Sequence, residues 1–205
     1  MTKKRVAVLI SGRGSNMVAL IEAARDQDYP AEIALVLSNR PDAAGLTRAR
    51  DAGIATAVVD HCRFGDERET FERALDDELR KYRIELICLA GFMRLLTSWF
   101  IRRCRGRILN IHPALLPQFK GLHTHRRALD AGMKQHGATV HFVVEETDAG
   151  PIVLQQSVPV LESDTEETLA ARVLGIEHRI YPEALRLVAE GRAKFAGARD
   201  GAPAR

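Results

Sequence analysis

Asn110 and His112 stand two residues apart at the end of a short apolar run, Ile108–Ile111, with Pro113 directly after them. Residues two apart on a strand face the same side, so an amide and an imidazole sit together where the strand stops. Both can hydrogen-bond one reacting oxygen, which is the requirement for stabilising a developing oxyanion. In an open parallel sheet the carboxyl ends of strands are also where ligands bind. A second site of this kind follows the first apolar run. Ser11-Gly12-Arg13-Gly14-Ser15-Asn16 joins a strand to a helix. Glycines there let the backbone turn tightly and approach a ligand, and the helix start offers free N–H groups and a positive dipole end, so the loop suits a phosphate. Met17 stands where a dinucleotide fingerprint needs Gly or Ala, Ser38-Asn39 stand where it needs an acid, and no Gly-Lys-Ser/Thr occurs. The expected ligand is therefore a mononucleotide-like phosphate, not NAD or ATP.

These side chains need a scaffold, and the apolar pattern describes one. Val6–Ile10, Ile33–Leu37, Ala55–Val59 and Leu86–Ala90 read as buried strands, short and bounded by turn residues. Continuous apolar runs fit a parallel sheet covered on both faces. Helices are predicted over Ser15–Asp26, Asp42–Ala52 and Asp66–Tyr82, the last with Phe71, Leu75, Leu79 and Tyr82 on one face. The order is that of a doubly wound α/β fold. Further on, Leu96–Cys104 reads as a helix, Ile108–Ile111 as a strand, Pro113–Gly121 as a loop and His125–Ala131 as a helix. Thr139–Val144 and Ile152–Val160 read as strands. Thr165–Glu190 is a long helix with the stripe Leu169, Val173, Ile176, Ile180, and Pro182 should kink or restart it. One α/β domain is expected over residues 1–195, with 196–205 a disordered tail.

Composition narrows the function classes. Among 205 residues, 30 Lys+Arg against 27 Asp+Glu leave a net charge of +3, too balanced for a general nucleic-acid binder. The basic run Arg102–Arg107 lacks interleaved aromatics and reads as a solvated helix end. The apolar stretch after the basic start is too short for a signal peptide, and no membrane-length run follows, so a cytoplasmic protein with small-molecule partners, no nucleic acid and no membrane is expected, as monomer or homodimer. Cys62, Cys88 and Cys104 show no paired spacing. Cys88 reads as a core residue. His123 and His125 have no third ligand at zinc-like spacing, so no metal is expected. His61, His136 and His141 read as structural or surface residues.

Asn110-x-His112-Pro113-x-Leu115-Leu116-Pro117 resembles the signature of the folate-dependent formyltransferase family, and Gly121-Leu122-His123-Thr124-His125-Arg126 is similar to its glycinamide ribonucleotide branch. Gly12-x-Gly14-Ser15-Asn16, Ala90-Gly91-Phe92-Met93-Arg94 and Asp148-x-Gly150-Pro151 are similar to that family in the same order, from Val6 to about Glu190. The resemblance implies a single-domain, mostly parallel sheet with helices on both faces. It also implies transfer of a formyl group from 10-formyltetrahydrofolate to the amine of a glycinamide ribonucleotide, in purine biosynthesis. Asn110 would donate to the oxyanion. His112, protonated, would stabilise it and help deliver a proton to the leaving nitrogen. Asp148 would raise the pKa of His112. Gly14, Ser15 and Asn16 would hold the phosphate, and Glu177 the ribose hydroxyls. Arg68, Met93, Arg94, Leu95, Leu96 and Val144, Glu145, Glu146, Thr147 would line the folate side. Arg13 stands where the family places Asn, and Gln118-Phe119-Lys120 differs in detail.

Each of these residues also has a plain alternative: Arg68 can pair with Glu72 four residues on, and Glu177 can be an exposed helix residue. Other activities stay open on the sequence. In a formyl-tetrahydrofolate hydrolase, water replaces the amine and an N-terminal domain precedes this one. A methionyl-tRNA formyltransferase adds a C-terminal RNA-binding domain. A non-catalytic nucleotide-binding domain would have no need of Asn110, His112 and Asp148 together.

Overall fold

Alternation along the first strand divides the molecule into two layers. In the computed structural model, which describes residues 2–195, β1 spans Lys4–Ile10. Val6, Val8 and Ile10 face one core cluster, and Ala7 and Leu9 face the other. A strand buried on both faces in this way has to sit in the middle of a sheet. It does, in the order β3-β2-β1-β4-β5-β6-β7, where β2 is Ala31–Ser38, β3 Thr56–Val58, β4 Leu86–Leu89, β5 Ile108–His112, β6 Gln135–Phe142 and β7 Ile152–Pro159. The first five strands pair in parallel, and β6 and β7 add on antiparallel.

The helices are α1 (Ser15–Ala24), α2 (Ala44–Asp51), α3 (Arg68–Lys81), α4 (Ser98–Arg103), α5 (Thr124–Asp130) and α6 (Glu166–Ala189). The predicted stripe Leu169, Val173, Ile176, Ile180 is buried in the cluster that α6 shares with α1 and α2. Phe71, Leu75 and Leu79 of α3 pack with Phe100 of α4 on the opposite face. Full burial of such a side chain contributes about 1.5–3 kcal/mol, so these two stripes fix α3 and α6 to opposite sides of the sheet.

Several boundaries differ from the sequence reading. The helix expected from Asp42 starts at Ala44, and that expected over Leu96–Cys104 is the single segment Ser98–Arg103. His61–Phe64 forms an unanticipated 3-10 helix. β6 begins at Gln135 and not at Thr139, because Gly137 lets β7 approach: a Cβ there would lie 2.1 Å from the Gln156 carbonyl oxygen. Pro182 does not restart the last helix, which runs unbroken from Glu166 to Ala189. The Tyr29 hydroxyl donates to the Pro182 carbonyl (2.6 Å) and ties this turn to the loop before β2. Among the described residues no helix is long and apolar enough to cross a membrane. The tail expected over residues 196–205 lies outside the described residues.

Candidate active site

The chain leaves β1 at the crevice where the sheet order reverses, with β2 on one side and β4 on the other, the place where open α/β sheets bind ligands. Gly14 has φ +69° and occupies the N-cap of α1 without any side-chain cap. A Cβ at Gly14 would press on Met17 and on Gly45. The first amides of α1 therefore have no intrahelical acceptor and face the loop. Residues 11–16, Asn39, Arg40, His61, Ala90, Gly91, Met93 and Arg94 enclose a cleft of about 460 Å³ there. Arg13, Arg40 and Arg94 make it cationic, although Arg40 is engaged by Asp42 at 2.8 Å. The Ser11 hydroxyl donates to Asn39 Oδ1 (2.6 Å) and accepts from Met93 N–H (2.8 Å), which fixes the two walls to each other.

Asn16 and Glu177 meet at the inner end of this cleft. Asn16 Nδ2 donates to Glu177 Oε2 at 2.6 Å, and both residues are buried. Glu177 is thus not the exposed helix residue of the plain alternative. Burial raises its pKa, with the Asn16 bond opposing. Asn16 Oδ1 is buried without a protein donor. An acceptor-only oxygen left in this position suits a hydroxyl donor, not a phosphate dianion. The side chain of Asn16 thus turns to Glu177, while its backbone N–H is among the first amides of α1.

At the end of β5 the expected trio comes together. His112 Nδ1 lies 3.5 Å from Asp148 Oδ2, and the two side chains are 6% and 10% exposed. His112 Nε2 lies 2.9 Å from the Phe119 carbonyl, which can only accept, so Nε2 carries the proton and Nδ1 is the nitrogen that titrates. Gly121 N–H donates to Asp148 Oδ2 at 2.9 Å. The expected rise in the pKa of His112 is not what results. Burial lowers it, and the Phe119 bond and the Asp148 charge only partly compensate. The carboxylate acts in the predicted direction, but desolvation is the larger effect. For Asp148 burial again opposes the charge, but the neighbouring His141, the Gly121 N–H and His112 outweigh it and hold the carboxyl below its ordinary range.

His141 is the residue sequence reasoning missed. It lies opposite Asn110 in the β5–β6 register. Its Nδ1 faces the Phe142 carbonyl at 2.9 Å, so in the neutral ring Nε2 is a bare acceptor. Asn110 Nδ2 lies 3.3 Å from that Nε2. This contact sets the amide's orientation and leaves its second N–H for a ligand. His141 Nε2 is also 3.6 Å from Asp148 Oδ1. The only signal in the sequence was a histidine in an apolar strand, and the antiparallel register that gives it meaning is not legible there.

The loop after β5 is held from below. Thr139 Oγ1 donates to the Ala114 carbonyl (2.6 Å) and accepts from Leu116 N–H (3.1 Å). On the other flank Met93 and Leu95 are 67% and 68% exposed, and with Arg94 and Leu96 they form a segment at the mouth. Arg68 does not pair with Glu72 as its alternative reading had it; its guanidinium donates to the Leu95 carbonyl. Glu72 instead accepts Thr97 N–H at 2.6 Å and the Thr97 hydroxyl, which pins the end of that segment. Val144 is half-buried, and Glu145, Glu146 and Thr147 are exposed after β6, with Glu145 and Glu146 paired to Arg102 (3.2 Å) and Lys120 (2.7 Å). Asp60, His61 and Cys62 bring three donor atoms within 4.8 Å of one another, but His61 Nδ1 is committed to the Asn39 carbonyl at 2.8 Å.

His136, next to this loop, has its pKa pushed down to about 4 by burial and by His125, whose Nδ1 is 3.2 Å away. A histidine with a folded pKa below its unfolded value of about 6.5 favours the folded state at high pH. That contribution is lost as pH falls from about 6.5 towards 4. Thermal stability should drop over this window, and His136→Gln should flatten the drop. An unchanged slope in denaturation curves across pH 4–7 would refute this.

A formyl transferase family model matches residues 4–185. Phosphoribosylglycinamide formyltransferase of Escherichia coli (strain K12) is 48% identical over 190 residues, covering 93% of this chain and 89% of that protein. The trifunctional purine biosynthetic protein adenosine-3 of Bos taurus is 51% identical over 189 residues, 92% of this chain, but the match spans only 19% of that longer protein. The crystal structure of phosphoribosylglycinamide formyltransferase from Brucella melitensis has 54% sequence identity and superposes with a TM-score of 0.88, covering 95% of this chain and 100% of that one.

Proposed function

The chain belongs to the formyl transferase family, and we infer that it transfers the formyl group of 10-formyltetrahydrofolate to the amine of 5-phosphoribosylglycinamide. The observation that carries this reading is the spacing of two sites on one sheet edge. The anion cleft follows β1, and Asn110 and His112 end β5, two strands away with β4 between. At about 4.8 Å per strand that is roughly 10 Å, about the reach of a phosphoribosyl group with a short amide arm. With the phosphate on the α1 amides and the hydroxyls on Glu177 and Asn16 Oδ1, the amine reaches Asn110 and His112.

The amine attacks the formyl carbon, and the carbonyl electron pair moves onto oxygen. The free N–H of Asn110 Nδ2 stabilises that oxyanion. The amine's proton leaves through His112 and Asp148, and the same pair returns a proton to the folate nitrogen as its bond to carbon breaks. His112 suits both directions because Nδ1 is its titrating nitrogen and the Asp148 carboxylate lies beside it. At neutral pH burial keeps the ring mostly unprotonated, so it acts first as proton acceptor and then as donor. The folate body rests against Met93–Leu96 and Val144–Thr147, with Arg68 bracing the first segment from behind.

The test mixes the protein with 10-formyltetrahydrofolate and follows formyl loss with and without 5-phosphoribosylglycinamide. Loss that requires the ribonucleotide and yields the formylated amide is the expected result. Equal loss without it would mean hydrolysis, and no loss from folded protein would remove the enzymatic reading.

A further inference from the structure

A second cavity, of about 280 Å³, opens at the opposite end of the parallel strands, where Ile84 and Ile87 enter β4 and Arg107 precedes β5. Leu79, Ile84 and Ile87 form a buried apolar floor, and Arg80, Arg83, Arg103 and Arg107 surround it with Asp76 and Cys104. Four guanidinium groups against one carboxylate leave the lining strongly positive. Asp76 is shared by Arg80 and Arg103, at 3.3 Å each, and Arg80 also pairs with Asp77 just outside. Arg107 donates to the Arg103 carbonyl at 3.2 Å. Among the described residues neither Arg83 nor Arg107 has a carboxylate within ion-pair distance. None of this belongs to the catalytic cleft.

The backbone at Arg83 is an independent sign. α2, α3, α5 and α6 all end in the same pair of hydrogen bonds, in which the residue after the C-cap turns into the left-handed region. In α2, α5 and α6 that residue is Gly53, Gly132 and Gly191, and in α3 it is Arg83 with φ +53°. Glycine takes this conformation without steric cost and arginine does not. The fold accepts an unfavourable residue at this helix end, which lines the cavity together with the end of α4.

We propose that this cavity binds a phosphate-bearing small molecule with at least two negative charges. Arginine forks match phosphate oxygens bidentately, and two of them approaching from different elements suit a tetrahedral anion better than a planar carboxylate. The volume exceeds that of a bare phosphate, since a water takes about 30 Å³. An organic phosphate that rests its body on the Leu79–Ile84–Ile87 floor fits the lining.

The test is calorimetric titration of the full chain with adenosine 5′-monophosphate, and separately with inorganic phosphate, with 5-phosphoribosylglycinamide at saturation to fill the catalytic cleft. One saturable equivalent is expected, weakened at least tenfold by Arg107→Gln and by Arg83→Gly, with the KM for the ribonucleotide unchanged. Without ligand, Arg83→Gly should melt about 2–4 °C higher, because it relieves the backbone. Tighter binding of the nucleotide identifies an organic phosphate as the ligand, and equal binding of both probes identifies the free anion. Absence of saturable heat, equal affinity in the parent and both variants, or binding only to an RNA oligonucleotide would overturn the proposal.

Discussion

Asp148→Asn should lower turnover about 10²- to 10⁴-fold while the melting temperature moves by no more than a few degrees. The two side chains have the same shape, and Asn tolerates the left-handed backbone that Asp148 adopts at φ +52°. The amide oxygen can still accept from Gly121 N–H, now at 2.9 Å from the carboxylate. Its NH₂ faces His141 Nε2, 3.6 Å from Asp148 Oδ1, and shares that acceptor with Asn110 Nδ2. No buried polar group is orphaned, so the fold has little reason to weaken. The charge, however, is lost. Burial already lowers the pKa of His112, and the Asp148 carboxylate is one of two influences that raise it. Without it the ring is a weaker base, takes the amine's proton less readily, and so less often holds one to pass to the leaving nitrogen. The KM for the ribonucleotide should stay within a few-fold, because the phosphate end lies two strands away. Steady-state kinetics and a thermal melt on the same preparation check this. Retention of more than a tenth of the parent turnover would show that Asp148 does not serve proton transfer.

The strand-end pair Asn110 and His112 was legible because its signals are local, whereas Asp148 came only with the resemblance to the formyltransferase family. A continuous apolar run followed by Pro marks where β5 stops, and residues two apart must share a face. The buried strands Val6–Ile10 and Leu86–Ala90 and the α6 stripe were legible for the same reason: short-range periodicity reports burial directly. What depends on distant chain segments was not. His141 acquires its role only from the register that sets it against Asn110. Glu72 reads on the sequence as an ion-pair partner for Arg68, but the chain returns Thr97 to it and Arg68 turns to the Leu95 carbonyl. The charge state of His112 failed for a related reason. Its charged neighbour could be anticipated, but the depth of burial that outweighs it is a property of the whole packed domain.

Gly150→Ala should disable the enzyme by a purely steric route. Gly150 does not adopt a positive φ, so backbone conformation alone would admit alanine. A Cβ there would lie 1.7 Å from the Phe142 carbonyl oxygen and 2.8 Å from its carbon, so one of the two segments has to move. If Phe142 yields, β6 loses the bond from Phe142 N–H to the Pro151 carbonyl (2.9 Å). His141 then also loses the carbonyl at 2.9 Å that fixes its tautomer, and with it the orientation of Asn110. If the loop yields, Asp148, two residues away, is drawn off His112. Either displacement separates groups that now lie 3.3–3.6 Å apart. A misplacement of about 1 Å can cost 10²-fold in rate, so kcat/KM should fall by at least about 10². Overpacking of this kind costs about 1–3 kcal/mol, which for a chain of this size is roughly 2–12 °C in melting temperature. Gly175→Ala provides the opposite case. Gly175 is exposed inside α6, and a Cβ there meets nothing within 4 Å. The same substitution should stabilise by about 0.5–1 kcal/mol through helix propensity and leave turnover intact. If Gly150→Ala melts and turns over like the parent, then the approach of residue 150 to the Phe142 carbonyl is not what holds Asp148 in place, and the positioning of the carboxylate would have to come from the Gly121 N–H and the two histidines beside it.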